Sequence, residues 1–126
     1  MNIDKTDRLY PHFKDRELFL KAAKLAEEVA FNEGLTLRTF MPKFRLNRFC
    51  ATGICYTKDA SIVVTIRHRT DQQDGGVWEK EPRPWKEIER TTLHEVAHLK
   101  HPNHSKEFKA YEKYLCETYG TNQNIK

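Results

Sequence analysis

The sequence predicts an α+β domain in which one helix comes first, a small antiparallel sheet follows, and two helices end the fold. Apolar residues recur at helical spacing between Asp15 and Glu33. The middle of the chain is instead rich in β-branched residues and in apolar-polar alternation, which is typical of strands. Two further segments of helical period follow a polar stretch at 70–84. A length of 126 residues suits a single domain over 1–126.

The first predicted helix is amphipathic. Asp15 is its predicted N-cap and Gly34 its stop signal. Residues 1–14, which precede it, are predicted to form a loosely held arm of the same domain. The apolar positions recur at intervals of three and four, and they are Leu18, Phe19, Ala22, Leu25, Ala26, Val29 and Ala30.

The predicted sheet is built from short runs between Gly34 and residue 70. The first strand ends at Pro42, and residues 58–60 form the turn of a hairpin between the last two strands. The strand-like runs are 35–40, 44–48, 54–57 and 61–67.

The last two helices have clear start and stop signals. Pro84 suits the first turn of a helix from Trp85 to Lys100, and Pro102 stops it. The final helix starts with Ser105 as N-cap, runs to Tyr119 and ends at Gly120. Its predicted apolar face consists of Phe108, Tyr111, Leu115 and Tyr119.

Composition favours a well-solvated domain in a reducing compartment. The chain is 38% hydrophobic and 32% charged, and no run approaches the roughly 18 apolar residues of a membrane span. The first residues are polar and do not resemble a secretory signal. An odd number of cysteines (Cys50, Cys55 and Cys116) suits core or strand thiols better than a disulfide framework or a zinc ribbon. We therefore expect a cytoplasmic location.

The segment His94-Glu95-Val96-Ala97-His98 carries the most specific chemical signal. Residues four apart lie one turn apart on the same helix face, so the two histidines can bind one metal ion. Glu95 is rotated by about 100° around the axis, where it can hydrogen-bond a metal-bound water. This arrangement is typical of zinc metalloproteases. The alternative is a polar helix face that is rich in histidine by chance.

A catalytic zinc usually takes three protein ligands and leaves one position for water. His104 follows the helix-breaking Pro102, and a chain that turns there can return it to the metal. His101 is the alternative ligand, but three ligands at successive turns of one straight helix would not converge on one ion. His104 is therefore the predicted third ligand.

The run from His94 to Phe108 resembles the active-site segment of the SprT-like, YgjP-like and WLM metallopeptidases, and the run 51–55 with the strand 62–66 resembles their sheet region. The resemblance implies a minimal zincin-like fold, one Zn²⁺ ion held by His94, His98 and His104, and Glu95 as general base. Relatives are associated with cleavage of proteins crosslinked to DNA.

A DNA contact would need a basic surface. The net charge of +4 is only a mild basic bias, and an ordinary solvated charged face is the alternative interpretation of these residues. The candidate nucleic-acid contacts are Arg45, Arg48, Arg67 and Arg69, with Arg38 and Lys43 beside them.

These features together predict zinc-dependent hydrolysis of peptide bonds in protein or peptide substrates. Trp78 and Tyr111 are candidate substrate contacts, while Tyr111, Tyr114 and His101 are candidate oxyanion stabilisers. An extended substrate could add to the sheet edge, and the strand at 61–67 is the candidate for that edge. The alternatives are a metal-containing DNA- or protein-binding module without proteolytic activity, and hydrolysis of a non-peptide bond.

Overall fold

The computed structural model describes residues 2–3, 13–43, 53–66 and 83–120, and it has the predicted α+β architecture. The elements in chain order are β1 (Asn2–Ile3), α1 (Phe13–Glu33), β2 (Thr39–Lys43), β3 (Gly53–Tyr56), β4 (Ser61–Thr65), α2 (Trp85–Lys100) and α3 (Lys106–Tyr119).

The sheet is mixed, whereas the sequence predicted an antiparallel sheet. Its strand order is β1-β2-β4-β3, in which β1 pairs parallel to β2 and β2 pairs parallel to β4. Only the β3–β4 pair is antiparallel. The parallel β1–β2 pair follows from α1, because a crossover helix between two strands returns the chain in the same direction.

The predicted hairpin between β3 and β4 is confirmed. Its turn is closed by a hydrogen bond from the Asp59 N–H to the Tyr56 carbonyl, and Ala60 has a φ of 54°. Because β4 pairs with β2 on one side and β3 on the other, it lies inside the sheet. The expectation that 61–67 offers a free edge is therefore wrong. Among the described strands, β3 is the edge next to β4.

The first predicted strand is displaced along the chain. It starts at Thr39, not residue 35, and continues through Pro42. β1 pairs only with Thr39 and Phe40, so beyond Phe40 the described partner of β2 is β4 alone. Proline is tolerated at position 42 because one side of β2 has no described partner strand there. The strand predicted at 44–48 lies outside the described residues.

The helix ends follow the sequence signals except that Pro84 is the N-cap of α2, with extended backbone, instead of a residue of its first turn, and that α1 starts earlier than predicted. That helix begins at Phe13, so Asp15 lies inside it and is not the cap. Gly34 ends α1 with a φ of 71°, a conformation that favours glycine. Ser105 caps α3 as predicted, since its hydroxyl accepts a hydrogen bond from the Phe108 N–H at 3.2 Å.

One hydrophobic core joins the sheet to all three helices, and α2 packs against α1, α3, β3 and β4. Ile88, Thr92 and Val96 of α2 are fully buried, and Leu99 is partly buried against the same core. No helix in the described ranges combines the length and the apolar character needed to cross a bilayer. The largest fully buried side chains of this core are Phe19, Phe40, Phe108, Ile62, Ile66, Ile88, Leu93 and Leu115.

Candidate metal centre

Three histidines converge where α2 gives way to α3. The rings of His94 and His98, one turn apart on α2, lie with their centroids 4.9 Å apart. His101 caps the end of α2 with extended backbone, so the chain turns away from the helix axis. That turn brings the ring of His104 to 4.7 Å from His98 and 5.4 Å from His94. One ring nitrogen from each histidine lies within 4.8 Å of the other two.

Hydrogen bonds to Nδ1 determine which nitrogens face the centre. The Nδ1 of His94 lies 2.7 Å from Glu112 Oε2, and the Nδ1 of His98 lies 3.1 Å from the His101 carbonyl oxygen. Because both partners are acceptors, we assign the proton to Nδ1 in each ring. The Nε2 of each of these two rings is then unprotonated and has a lone pair that can bind a metal ion. Burial lowers the pKa of His98, although the bond to the His101 carbonyl opposes this.

Phe108 forms the apolar floor of the cluster. Its ring is 1% exposed, and its centroid lies 4.3 to 5.0 Å from all three imidazoles. It stacks on His98 with an interplanar angle of 20°. A large side chain at this position limits the freedom of the three rings.

This donor set fits a zinc ion. The His98 and His104 Nε2 atoms are 3.1 Å apart. Two nitrogens that bind one tetrahedral zinc at about 2.0–2.1 Å lie about 3.3 Å from each other. Three imidazole nitrogens, two of them oriented by Nδ1 bonds, are a ligand type that zinc prefers.

Glu95 is buried beside the cluster at the wall of a cleft of about 650 Å³. Burial raises the pKa of its carboxyl group to about 7, and Glu112 adds to this while His94 opposes it. Gly53 on β3 forms the facing wall. A Cβ atom at Gly53 would lie 2.6 Å from Thr91 Cγ2 and 3.1 Å from Glu95 Oε2, so only glycine allows this close approach.

Arg83 also lines this cleft, although the spacing of the histidine motif does not predict its presence there. Its buried guanidinium donates to the Thr65 carbonyl at 2.7 Å and to the Thr91 hydroxyl at 2.8 Å. It thereby ties the end of β4 to the first half of α2. Burial lowers the pKa of this arginine, although Glu87 opposes the shift.

The structure places His104, not His101, in the cluster. His101 contributes its backbone carbonyl, while its ring packs against Tyr111 at 5.6 Å. The hydroxyls of Tyr111 and Tyr114 donate to Glu33 on α1, which favours a structural role for both.

The other candidate contacts lie outside the described residues, and they are Arg45, Arg48, Arg67, Arg69 and Trp78. Cys50 lies outside them as well. Cys55 and Cys116 are free, partly buried thiols, as the sequence predicts. Burial raises the pKa of Cys55 to about 12, so this thiol stays protonated at neutral pH.

The fold is similar to solved structures of Wss1. A mutant of Wss1 from Saccharomyces cerevisiae matches with a TM-score of 0.72 at 16% identity, over 96% of this chain and 88% of that one. Wss1 from S. pombe matches with a TM-score of 0.55 at 21% identity, over 83% of this chain and 81% of the other. No protein-family model and no curated protein matches the sequence. At this level of identity the likeness establishes the fold.

Proposed function

We propose that this protein is a zinc-dependent metallopeptidase that hydrolyses peptide bonds in protein substrates. The observation that carries the proposal is the convergence of the His94, His98 and His104 nitrogens within 4.8 Å, with the buried Glu95 next to them. Three neutral nitrogen ligands with an acidic residue beside them are the donor set of a hydrolytic zinc centre.

The fold supports the same proposal. Wss1 belongs to the WLM-domain metalloproteases, one of the families that the segment 94–108 resembles. Proteins associated with DNA are the substrate class that this resemblance suggests, and a cytoplasmic location remains a prediction from the sequence.

The histidines and Glu95 have different roles in the proposed reaction. His94, His98 and His104 would hold the ion through one ring nitrogen each. When bound, zinc supplies a Lewis acid and lowers the pKa of water towards about 7. The Glu95 carboxylate accepts the proton of the attacking water and delivers it to the leaving amine nitrogen. A carboxyl group whose pKa is raised by burial suits both halves of this transfer.

The edge of β3 is the place where an extended substrate would bind. Gly53 at the start of β3 lines the same cleft as His94 and Glu95. Across the described sheet, β3 pairs with β4 on one side only. A peptide that adds to the other side gains backbone hydrogen bonds and runs past Glu95.

Substitution Glu95→Gln tests the catalytic assignment. The variant should bind zinc like the wild type, because Gln cannot act as a base but leaves the three histidines in place. Cleavage of an unfolded protein such as casein should fall by about 10²–10⁴-fold. The matched control is Glu107→Gln, an exposed carboxylate on α3, which should cleave normally.

A fully active Glu95→Gln variant would overturn this assignment. A zinc-loaded wild type that cleaves neither unfolded protein nor protein crosslinked to DNA would favour a binding module that keeps the metal for structure.

A further inference from the structure

We infer that Glu112 is a positioning residue that orients His94 for metal binding and so links α3 to the ligand set. This inference rests on the proposed zinc centre. Nothing in the sequence motif indicates Glu112, which lies 18 residues beyond His94 on a different helix.

The contact between Glu112 and His94 is short and partly shielded from solvent. Glu112 Oε2 lies 2.7 Å from His94 Nδ1, and the two side chains are 25% and 32% exposed. Phe108, one turn earlier on α3, packs against the same imidazole with the centroids 5.0 Å apart. Residues four apart on a helix share a face. The same docking of α3 therefore places both the apolar floor and the carboxylate.

The hydrogen bond selects the form of His94 that can bind a cation. A neutral imidazole carries one proton on either Nδ1 or Nε2. A carboxylate beside Nδ1 keeps the proton there and leaves the Nε2 lone pair free. It also makes that nitrogen more basic, which strengthens its bond to a metal ion.

The Nδ1 acceptor of His94 comes from α3, whereas that of His98 comes from the end of α2 itself. His98 lies in the last turn of α2, where carbonyl groups lack partners within the helix, and its Nδ1 bonds to the carbonyl of the C-cap His101. His94 lies inside α2, where backbone carbonyls accept bonds from the following turn. An acceptor for its Nδ1 must therefore come from another element, and Glu112 supplies it.

Zinc affinity provides the first test. In competition with a chromophoric chelator, Glu112→Ala should bind zinc about 10–100-fold more weakly than wild type. Glu112→Gln keeps an oxygen acceptor without the charge, so its loss should be smaller. The control Glu107→Gln removes an exposed carboxylate from the same helix and should leave the affinity unchanged. Wild-type affinity in Glu112→Ala would overturn the inference.

The tautomer of His94 in the metal-free protein provides a second test that is independent of zinc and of activity. Nitrogen-15 NMR at pH 8 should show the proton of His94 on Nδ1 in the wild type. Glu112→Ala should shift the population towards Nε2–H, and Glu112→Gln should retain Nδ1–H even if the alanine variant fails to fold. A wild-type His94 protonated on Nε2 would contradict the positioning role. Failure of the wild type to bind zinc would instead overturn the proposed function and leave this result intact.

Discussion

Two clusters of three side chains lie beside α3, and they differ in their chemistry. At the start of α3, His94, His98 and His104 bring together three ring nitrogens. Towards its end, three tyrosine hydroxyls donate to the carboxylate of Glu33 on α1. The tyrosines are Tyr111, Tyr114 and Tyr119.

Convergence of polar side chains alone does not make a binding site. Each tyrosine donor has its acceptor within 3.1 Å, and the negative charge of Glu33 is balanced by three hydrogen bonds. This cluster is complete and joins two helices. In the histidine cluster, lone pairs of ring nitrogens point to one place that holds no positive charge. Binding of a cation there would therefore stabilise this cluster more than it would the tyrosine cluster.

Removal of a histidine should have the largest effect. His98→Ala deletes a predicted ligand. Loss of a residue that only supports a ligand lowers zinc affinity about 10–100-fold, so we expect a larger loss here. Zinc should raise the melting temperature of the wild type, because a ligand that binds the native state stabilises it, and it should no longer do so in this variant. Differential scanning fluorimetry with and without zinc measures this. Tyr119→Phe, at the other end of α3, is the control that should keep the zinc-dependent shift. Loss of the shift in this control would contradict the distinction between the two clusters.

Substitution of Gly53, which faces Glu95, should lower catalysis without changing zinc binding. Gly53→Ala forces a Cβ atom against Thr91 and Glu95, at 2.6 Å and 3.1 Å. Displacement of the base should lower peptide cleavage by about 10–100-fold. The zinc content of the purified variant should equal that of the wild type. Equal cleavage rates would show that Glu95 does not need this wall.

The smallest effect is expected in the tyrosine cluster, and it depends on pH. Burial raises the pKa of Glu33, but the three tyrosine bonds and Lys100 outweigh it, so the pKa is lowered from 4.5. A lowered pKa in the native state stabilises the fold above the unfolded pKa, and this stabilisation is lost as pH falls. Glu33→Gln should therefore melt below the wild type at pH 7 with a difference that shrinks below about pH 4.5. A difference that grows in acid would contradict this account.

The sequence predicted the elements whose signals are local. The bounds of α2, the Ser105 cap and the Gly34 stop depend on neighbouring residues, and the structure has all three as expected. The spacing of His94, Glu95 and His98 is likewise a property of one helix.

The remaining features depend on contacts between distant segments. The parallel pairing of β2 with β4 joins residues about 22 positions apart, and alternation within a strand does not reveal its neighbours. Glu112 and Arg83 contact the site only because α3 and the end of β4 dock on α2. Glu112 lies four residues after Phe108, so the helical period of α3 places it on the same face as the ring that packs against the histidines.

A zinc titration of metal-free protein most directly tests the central claim that His94, His98 and His104 form one metal centre. The wild type and His101→Ala should each bind one zinc ion with similar affinity, because alanine retains the backbone carbonyl that holds His98. His104→Ala should lose most of this affinity. The claim would be contradicted if His104→Ala bound zinc like the wild type, or if His101→Ala lost binding instead.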